Sequence, residues 1–203
     1  MNTKEYTEKE IAILNATVDL MKGGINPYLI KVSDIAETAN IGKGTIYDYF
    51  NSKEEVISTA IVYNIDNEIK TGYERIKTKK NFKDKYYEIL KIMLENKENN
   101  LSILDILLST GGIREFYKHI MVNDEDNQCQ FDPIKNEIID HILETGFKEA
   151  VIERKGSSYY QRMAIRGSIA GFSNYIGKPS LYKDITVDEA MNTAYELLIN
   201  ALN

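Results

Sequence analysis

The side chains with the clearest capacity for chemistry lie in a short run, residues 40–55, which reads NIGKGTIYDYFNSKEE. In a helix, positions three and four apart share a side. Ile46, Tyr49 and Phe50 would therefore face one way. The opposite side would carry Lys43, Gly44, Tyr47 and Asp48. A helix this short is not stable alone in water, so its apolar side must pack on neighbours. The polar side suits the groove of a nucleic acid.

These polar groups have distinct capacities toward DNA. Lys43 can donate to guanine O6 or N7, and Asp48 can accept from cytosine N4. Gly44 has no Cβ, so a DNA backbone can approach it closely. The Asp48 carboxylate also repels phosphates, which leaves open the bases that are read. We expect Tyr47 on the DNA side and Tyr49 in the core, with an ordinary solvated lysine as the alternative for Lys43.

Three other patterns in the sequence resemble ligand-binding motifs only in part. Residues 42–45 lack the first glycine of a phosphate loop, and Gly44 stands where Ser or Thr should follow the lysine. The acidic stretch 123–128 lacks the glycine and the closing glutamate of a calcium loop. His119 and His141 have no Cys, His or Asp at metal-ligand spacing. Without a nucleophile–base pattern, we expect no enzyme, no cofactor and no metal.

The charge of the chain bounds its partners. Its 203 residues carry a net charge of −6, with an isoelectric point near 5.1, which excludes a protein that coats nucleic acid non-specifically. The first 55 residues contain no arginine and more acids than lysines, so DNA affinity must come from a few well-placed groups. The start has no apolar signal core and no stretch reaches a membrane span. We expect a cytoplasmic protein with no membrane partner, and the single Cys129 allows no internal disulfide.

Helical signals cover the first 50 residues. Thr7-x-x-Glu10 is a capping box before a helix that ends at Gly23. Ser33 is expected to cap a second, short helix, and Asn40 to take the left-handed turn conformation that asparagine tolerates. The short third helix follows.

A longer helical pattern fills the rest of the chain. Ser52-x-x-Glu55 predicts a capping box at the start of a helix that runs to about residue 77. Further helices are predicted at about 81–98, 100–109, 113–121, 132–145 and 157–175, with a last one capped by Thr186. The fourth of these is expected to stop at Gly146. No period-2 alternation indicates a sheet, so the predicted class is all-α with nine to ten helices.

The residues from Ser33 to Phe50 resemble a helix-turn-helix. The run Gly42-x-Gly44-Thr45-Ile46-Tyr47-x-Tyr49-Phe50-x-Ser52-Lys53-Glu54-Glu55 resembles, more specifically, the tetracycline-repressor (TetR) family. The resemblance implies a DNA-binding domain at 1–51 and an effector-binding and dimerisation domain at 52–203. It also implies a homodimeric regulator, usually a repressor, that leaves a palindromic double-stranded operator when a small molecule binds.

By position, the resemblance assigns Lys43, Gly44 and Tyr47 to the major groove or its edges. It assigns Thr45, Tyr47 and Lys53 to phosphates, with Ser33 reaching a phosphate or acting only as a cap. The acidic N-terminal charge leaves one alternative open, a helical adaptor that binds a protein partner instead of DNA.

The body is rich in tyrosine, and in a ligand-binding bundle some aromatic and methionine side chains should line a cavity for a largely hydrophobic ligand. The residues expected there are Tyr63, Tyr86, Met93, Leu104, Phe116 and Met163, with plain core packing as the alternative. The family's usual dimer interface would use the helices at 132–145 and 157–175. The residues expected in it are Ile138, Ile142, Ala164, Gly167, Ser168 and Gly171, with packing inside one subunit as the alternative.

Overall fold

The computed structural model describes residues 5–24, 26–98 and 131–203, of which 131–133 are described by their backbone alone. Every regular element in these ranges is helical, which confirms the all-α class. The α-helices are α1 (Glu8–Lys22), α2 (Val32–Thr38), α3 (Lys43–Tyr49), α4 (Lys53–Lys77), α5 (Phe82–Glu98), α6 (Phe131–Lys148), α7 (Ser158–Gly177) and α8 (Val187–Leu202). The predicted helices at 100–109 and 113–121 lie outside the described residues, as do His119 and the stretch 123–128.

Contacts divide the chain into two units, and the division falls within α4. Among the described residues, the first unit holds 5–24 and 26–68, and the second holds 69–98 and 131–203. The domain boundary expected between residues 51 and 52 concerns function and stays a prediction.

The first unit is built on α1, whose start follows the predicted capping box. The Thr7 hydroxyl accepts from the Glu10 backbone N–H at 3.3 Å, and the Glu10 carboxylate accepts from the Thr7 N–H at 2.8 Å. α1 ends at Gly23, as predicted. Its buried face joins one core with the apolar sides of the next three helices. The fully buried members of that core are Ile13, Leu14, Met21, Ile35, Ile46, Val56, Ile57, Ala60 and Ile61.

The start of α2 differs from the prediction. Lys31 occupies the N-cap position without a side-chain hydrogen bond. Ser33 lies inside the helix, where its hydroxyl donates to the Asp34 carboxylate at 3.1 Å. The helix begins earlier because Val32 and Ile35, three positions apart, are both buried in the core. Tertiary packing thus overrides the local capping signal.

The turn after α2 follows the prediction closely. Asn40 has a φ of +52°, which is the left-handed conformation expected there. The N–H of Ile41 donates to the Ala36 carbonyl at 3.0 Å, and that of Asn40 to the Glu37 carbonyl at 3.1 Å. This pair of bonds is a Schellman motif. It closes α2 and sets the direction in which α3 starts.

The start of α4 realises half of the predicted capping box. The Ser52 hydroxyl accepts from the Glu55 N–H at 3.1 Å. The Glu55 carboxylate, however, accepts from the backbone and the side-chain amide of Asn51, at 2.7 and 3.0 Å. The glutamate therefore reaches one residue further back than a capping box requires, and it joins the end of α3 to the start of α4.

In the second unit, α5 packs against α6, α7 and α8, and α7 packs against α6 and α8. The largest side chains fully buried there are Phe82, Tyr86, Leu90 and Phe172. The N-cap at Thr186 forms as the sequence predicts and is a complete capping box. Ser157, predicted as the first residue of its helix, is the N-cap of α7. α6 and α7 are also linked by Arg162, which donates to both oxygens of the Asp140 carboxylate at 2.9 and 2.7 Å.

The predicted stop of α6 at Gly146 is wrong, because the helix continues to Lys148. Gly146 is buried, and a Cβ built on it would lie 2.7 Å from both Ile152 Cγ1 and Phe82 Cδ2. Its glycine is therefore explained by close packing and not by helix termination. The chain turns two residues after Lys148, at Ala150, whose φ is +52°.

A buried acid in the second unit is fully paired. Glu88 on α5 is 5% exposed and binds Arg75 at 2.7 Å and Lys79 at 3.1 Å. Arg75 also reaches Glu95, about two turns further along α5, at 2.6 Å. Hydrogen bonds from Arg75 hold the pKa of Glu95 below its usual value. The last turns of α4 are thereby fixed to α5.

Candidate nucleic-acid interface

The two sides of α3 differ in the way that the sequence predicts. Ile46 is fully buried and Phe50 is 2% exposed, while Tyr49 is half-buried against the same core. On the other side, Tyr47 is 49% exposed. Lys43, Gly44 and Asp48 are exposed as well, and Thr45 is half-buried. The polar face of α3 is therefore free of the core that holds the helix in place.

The position of α3 depends on both of its neighbours. The Schellman turn places its first residue, and Phe50, buried at its end, donates its N–H to the Ile46 carbonyl at 3.0 Å. Asn51 then binds Glu55 on α4. A seven-residue helix, too short to be stable alone, is thus held at its start, its middle and its end.

The predicted phosphate ligands have different surroundings. Ser33 is exposed on the first turn of α2. The ammonium of Lys53 donates to the backbone carbonyl of Tyr28 at 2.7 Å and lies 3.9 Å from the Glu54 carboxylate. Lys53 is thus engaged within the chain, a contact that local sequence does not reveal because its partner is 25 residues away.

One cation near this surface escaped the sequence reasoning. Lys31 precedes α2 and is exposed, so it shares the N-terminal end of that helix with Ser33. Helix N-termini favour anions because of their free N–H groups and dipole. Its position directly before a short helix could have identified Lys31. It is missing from the predicted site residues because the sequence predicts the N-cap of that helix at Ser33 instead of Lys31.

The residues predicted to bind a ligand do not share one environment. Tyr63 is in the first unit, half-buried, with its ring edge-on to Tyr6 at 5.6 Å. In the second unit, Tyr86 is fully buried, Met93 is half-buried and Met163 is 45% exposed on α7. Leu104 and Phe116 lie outside the described residues. The set stays a prediction.

The residues predicted for a dimer interface separate into two groups. Ile142 and Ser168 are buried inside the second unit, and Ile138 and Ala164 pack partly against the same core. Gly167 and Gly171 are exposed, and a Cβ built on either would have no neighbour within 4 Å. The last two helices, α7 and α8, also expose large apolar side chains that were not among the residues predicted for the dimer interface. They are Tyr159, Tyr160 and Met163 on α7 and Leu197 on α8.

The second unit also holds a polar pair that the sequence does not suggest. Lys85, 5% exposed, donates from Nζ to His141 Nε2 at 3.0 Å and to the Ile76 carbonyl at 3.4 Å. Burial lowers the pKa of both side chains, and the neighbouring Lys85 charge lowers that of His141 further. An ammonium can only donate, so this contact requires a neutral His141 with its proton on Nδ1.

Two other kinds of feature are absent from the part of the chain that the structure describes. Within residues 5–24, 26–98 and 131–203, no group of three or more His, Cys, Asp or Glu side chains could hold a metal ion. In the same ranges, no helix is both long and apolar enough to cross a bilayer.

Comparisons with known proteins agree with the geometry of α2 and α3. The family model for bacterial regulatory proteins, tetR family, matches residues 13–60. A search of curated proteins gave no match.

Solved structures resemble nearly the whole chain. A TetR transcription regulator from Haloarcula marismortui ATCC 43049 is 14% identical with a TM-score of 0.66, covering 98% of this chain and 100% of that one. A TetR family transcription regulator from Marinobacter aquaeolei VT8 is 16% identical with a TM-score of 0.57, at 96% and 95% coverage. The transcriptional regulator FadR from Bacillus subtilis, solved with stearoyl-CoA, is 20% identical with a TM-score of 0.59, at 95% and 99% coverage.

At these identities the likeness to solved structures establishes the fold alone, and the family model covers residues 13–60. Residues 13–60 therefore match the tetR family of bacterial regulatory proteins, and the chain as a whole has the fold of solved TetR transcription regulators.

Proposed function

We propose that this protein is a dimeric repressor that binds a palindromic operator through α2 and α3 and is released by a small, largely hydrophobic ligand. The observation that carries the proposal is the exposed polar face of α3, opposite the buried Ile46. Lys43 and Asp48 would contact bases, while Ser33, Thr45 and Tyr47 would hold phosphates. Such contacts position the protein and read sequence without a high net charge. In this role the chain is a regulator and not an enzyme.

Gly44 supports this assignment. A glycine inside a helix is less favourable than alanine by about 1 kcal/mol, and a Cβ at position 44 would meet nothing within 4 Å. The fold of the described residues thus gives no reason for the glycine. Close approach of a DNA backbone to α3 would give one, because a side chain there would keep the helix away from the groove.

A gel-shift experiment tests the proposal against the adaptor alternative. The purified protein is titrated onto the DNA upstream of its own coding region, with an unrelated fragment of equal length as control. We expect a shift of the upstream fragment at lower protein concentration than the control. The absence of any shift at low salt would favour an adaptor that binds a protein partner.

The dimer would form on the exposed faces of α7 and α8. Met163, Gly167 and Ala170 lie on one side of α7 and are exposed, and Leu197 of α8 is 58% exposed. Gly167 and Gly171 leave space for close approach of a second helix. The buried Ile142 and Ser168 would act in this interface only by supporting the helices from within.

Introducing a charge tests that interface. Gly171→Glu should convert the dimer to a monomer in light-scattering or sedimentation measurements, since an unpaired charge would be buried at the contact. Thr71→Glu is the control, because it adds the same charge at an exposed position of α4 and not on α7 or α8. A Gly171→Glu protein that stays dimeric would exclude this face.

The class of ligand is proposed from two supports, the tyrosine-rich composition of the body and the fold shared with a regulator solved with stearoyl-CoA. Tyr86 and Met93 are the ligand candidates that remain in the second unit, because Met163 is exposed on the side of α7 proposed for the dimer. The first probe is stearoyl-CoA, with free coenzyme A as control. We expect the acylated compound to release the protein from its operator and the free thiol to have no effect. Equal effects of the two would contradict a hydrophobic ligand.

A further inference from the structure

We propose that Lys53 is a positioning residue, which holds the segment before α2 in place and does not itself contact a phosphate. The inference deepens the proposed function, because it concerns how the helix-turn-helix engages DNA. Lys53 Nζ donates to the Tyr28 carbonyl at 2.7 Å, the short distance of a charge-assisted hydrogen bond. Its side chain is 28% exposed, whereas Lys43 on the polar face of α3 is exposed.

The partner of Lys53 belongs to a short turn that leads into α2. Pro27–Leu29 is a 3₁₀ turn, in which the N–H groups of Leu29 and Ile30 donate to the carbonyls of Asn26 and Pro27 at 2.9 and 3.1 Å. Lys53 supplies a donor for the next carbonyl along the chain, that of Tyr28. Three residues after Tyr28, α2 begins at an N-cap without a side-chain hydrogen bond. Lys53 therefore fixes the entry to a helix whose own cap is weak.

The same turn of α4 also holds the end of α3. Ser52 and Glu55 flank Lys53, and the Glu55 carboxylate binds both N–H groups of Asn51 directly after α3. The first turn of α4 is thus bonded to the segment before α2 and to the segment after α3. With the Asn40 turn joining the two helices, the helix-turn-helix is held at both ends by one turn of α4.

A lysine that binds a phosphate and a lysine that positions α2 and α3 both lower the affinity for DNA when they are removed, but only the first also lowers the salt dependence. A lysine bound to phosphate releases counterions, so its loss lowers both the affinity and the salt dependence, by about 1 in the log–log slope per contact. A lysine that positions α2 and α3 lowers the affinity on its loss and leaves the slope unchanged, because the phosphate contacts of the remaining residues persist.

The test compares the full-length wild type with Lys53→Met, Lys53→Arg, Lys31→Met and Lys9→Met. Operator affinity is measured over a range of salt concentrations. We expect Lys53→Met to bind about tenfold more weakly, the loss of one charged hydrogen bond, with the wild-type slope. Lys53→Arg should restore binding because a guanidinium also donates to a carbonyl.

Two other lysines supply the references. Lys31→Met, at the exposed N-terminal end of α2, should lower both affinity and slope. Lys9→Met, at an exposed site on α1, should change neither. A slope reduced in Lys53→Met as in Lys31→Met would overturn the proposal.

A second measurement needs no DNA, so it separates failure of this inference from failure of the proposed function. Amide hydrogen exchange is followed at Leu29 and Ile30 in the free protein. Lys53→Met should speed exchange at these two amides, because the bond that it removes opposes local opening of the turn. Unchanged exchange at both amides would show that Lys53 does not hold the turn, whatever the DNA results.

Discussion

The Tyr86 hydroxyl donates to the Ser168 hydroxyl at 2.8 Å, and both side chains are buried where α5 meets α7. Ser168 in turn donates to the Ile165 carbonyl at 2.9 Å. Burial raises the pKa of Tyr86 to about 12, so the phenol remains a neutral donor at any physiological pH. The pair is a polar link inside an otherwise apolar core.

The two halves of this link should not cost the same when removed. Ser168→Ala leaves a buried phenol without an acceptor and should lower the free energy of unfolding by about 2 kcal/mol, whereas Tyr86→Phe should cost only about 1 kcal/mol. Urea denaturation measures both. Ser173→Ala, at an exposed serine of α7, is the control and should not destabilise. Equal losses for Ser168→Ala and Tyr86→Phe would mean that the phenol finds another partner.

Gly146 and Gly72 should respond in opposite directions to a methyl group. In Gly146→Ala the new Cβ would meet Ile152 and Phe82 at 2.7 Å, and such overpacking should destabilise by about 1–3 kcal/mol. Gly72 lies inside α4 with Ile92 Cδ1 at an ordinary 3.6 Å from a Cβ. Gly72→Ala should stabilise by up to about 1 kcal/mol through helix propensity. Thermal unfolding compares them, and a stabilising Gly146→Ala would refute the packing explanation.

The features that the sequence predicted correctly are local ones. The capping boxes at Thr7 and Thr186 join residues three apart, and the left-handed Asn40 follows from the chemistry of one side chain. The division of α3 into a buried and an exposed side follows from helical spacing alone. Each of these features depends on residues close together in the sequence, so it can be predicted without the tertiary contacts.

The features that the sequence missed depend on distant partners. The stop expected at Gly146 failed because Phe82 packs against it, 64 positions earlier in the chain. Ser33 does not cap α2 because burial of Val32 sets an earlier start. Lys53 resembles a free cation in the sequence, and its bond to Tyr28 exists only in the folded unit. In each case tertiary contacts decide between local alternatives that the sequence leaves open.

His141 should make stability depend on pH. Burial first, and then the charges of Lys85, Lys77 and Lys148, hold the pKa of His141 below its ordinary value of 6.5, with Glu137 opposing them. Between the folded and the unfolded pKa, the unfolded chain binds more protons. Stability is therefore complete above about pH 6.5 and decreases as the pH falls through that window.

Urea unfolding at about pH 7.5 and about pH 5.5 measures this effect. The loss on acidification should be smaller in His141→Gln than in the wild type, because glutamine does not titrate. An identical loss in both proteins would remove His141 from the explanation.

Operator binding should show a shallow dependence on salt. The exposed lysines close to the helix-turn-helix surface are Lys31 and Lys43, because Lys53 is bound to the Tyr28 carbonyl. Four such contacts in a dimer set an upper limit of about 4 on the log–log slope. Hydroxyls and helix N-termini would supply the remaining phosphate contacts without counterion release. Fluorescence anisotropy over a salt series gives the slope. A value near 10 would require cations that this surface does not present.

The most direct measurement is the affinity of Lys43→Ala and Tyr47→Ala for the operator, compared with the wild type in the same anisotropy assay. Both residues lie on the exposed face of α3, away from the buried Ile46. We predict that each substitution abolishes specific binding while the circular dichroism spectrum and the mass of the dimer stay unchanged. Wild-type affinity in both variants, with the fold intact, would contradict the proposal that this face of α3 reads DNA.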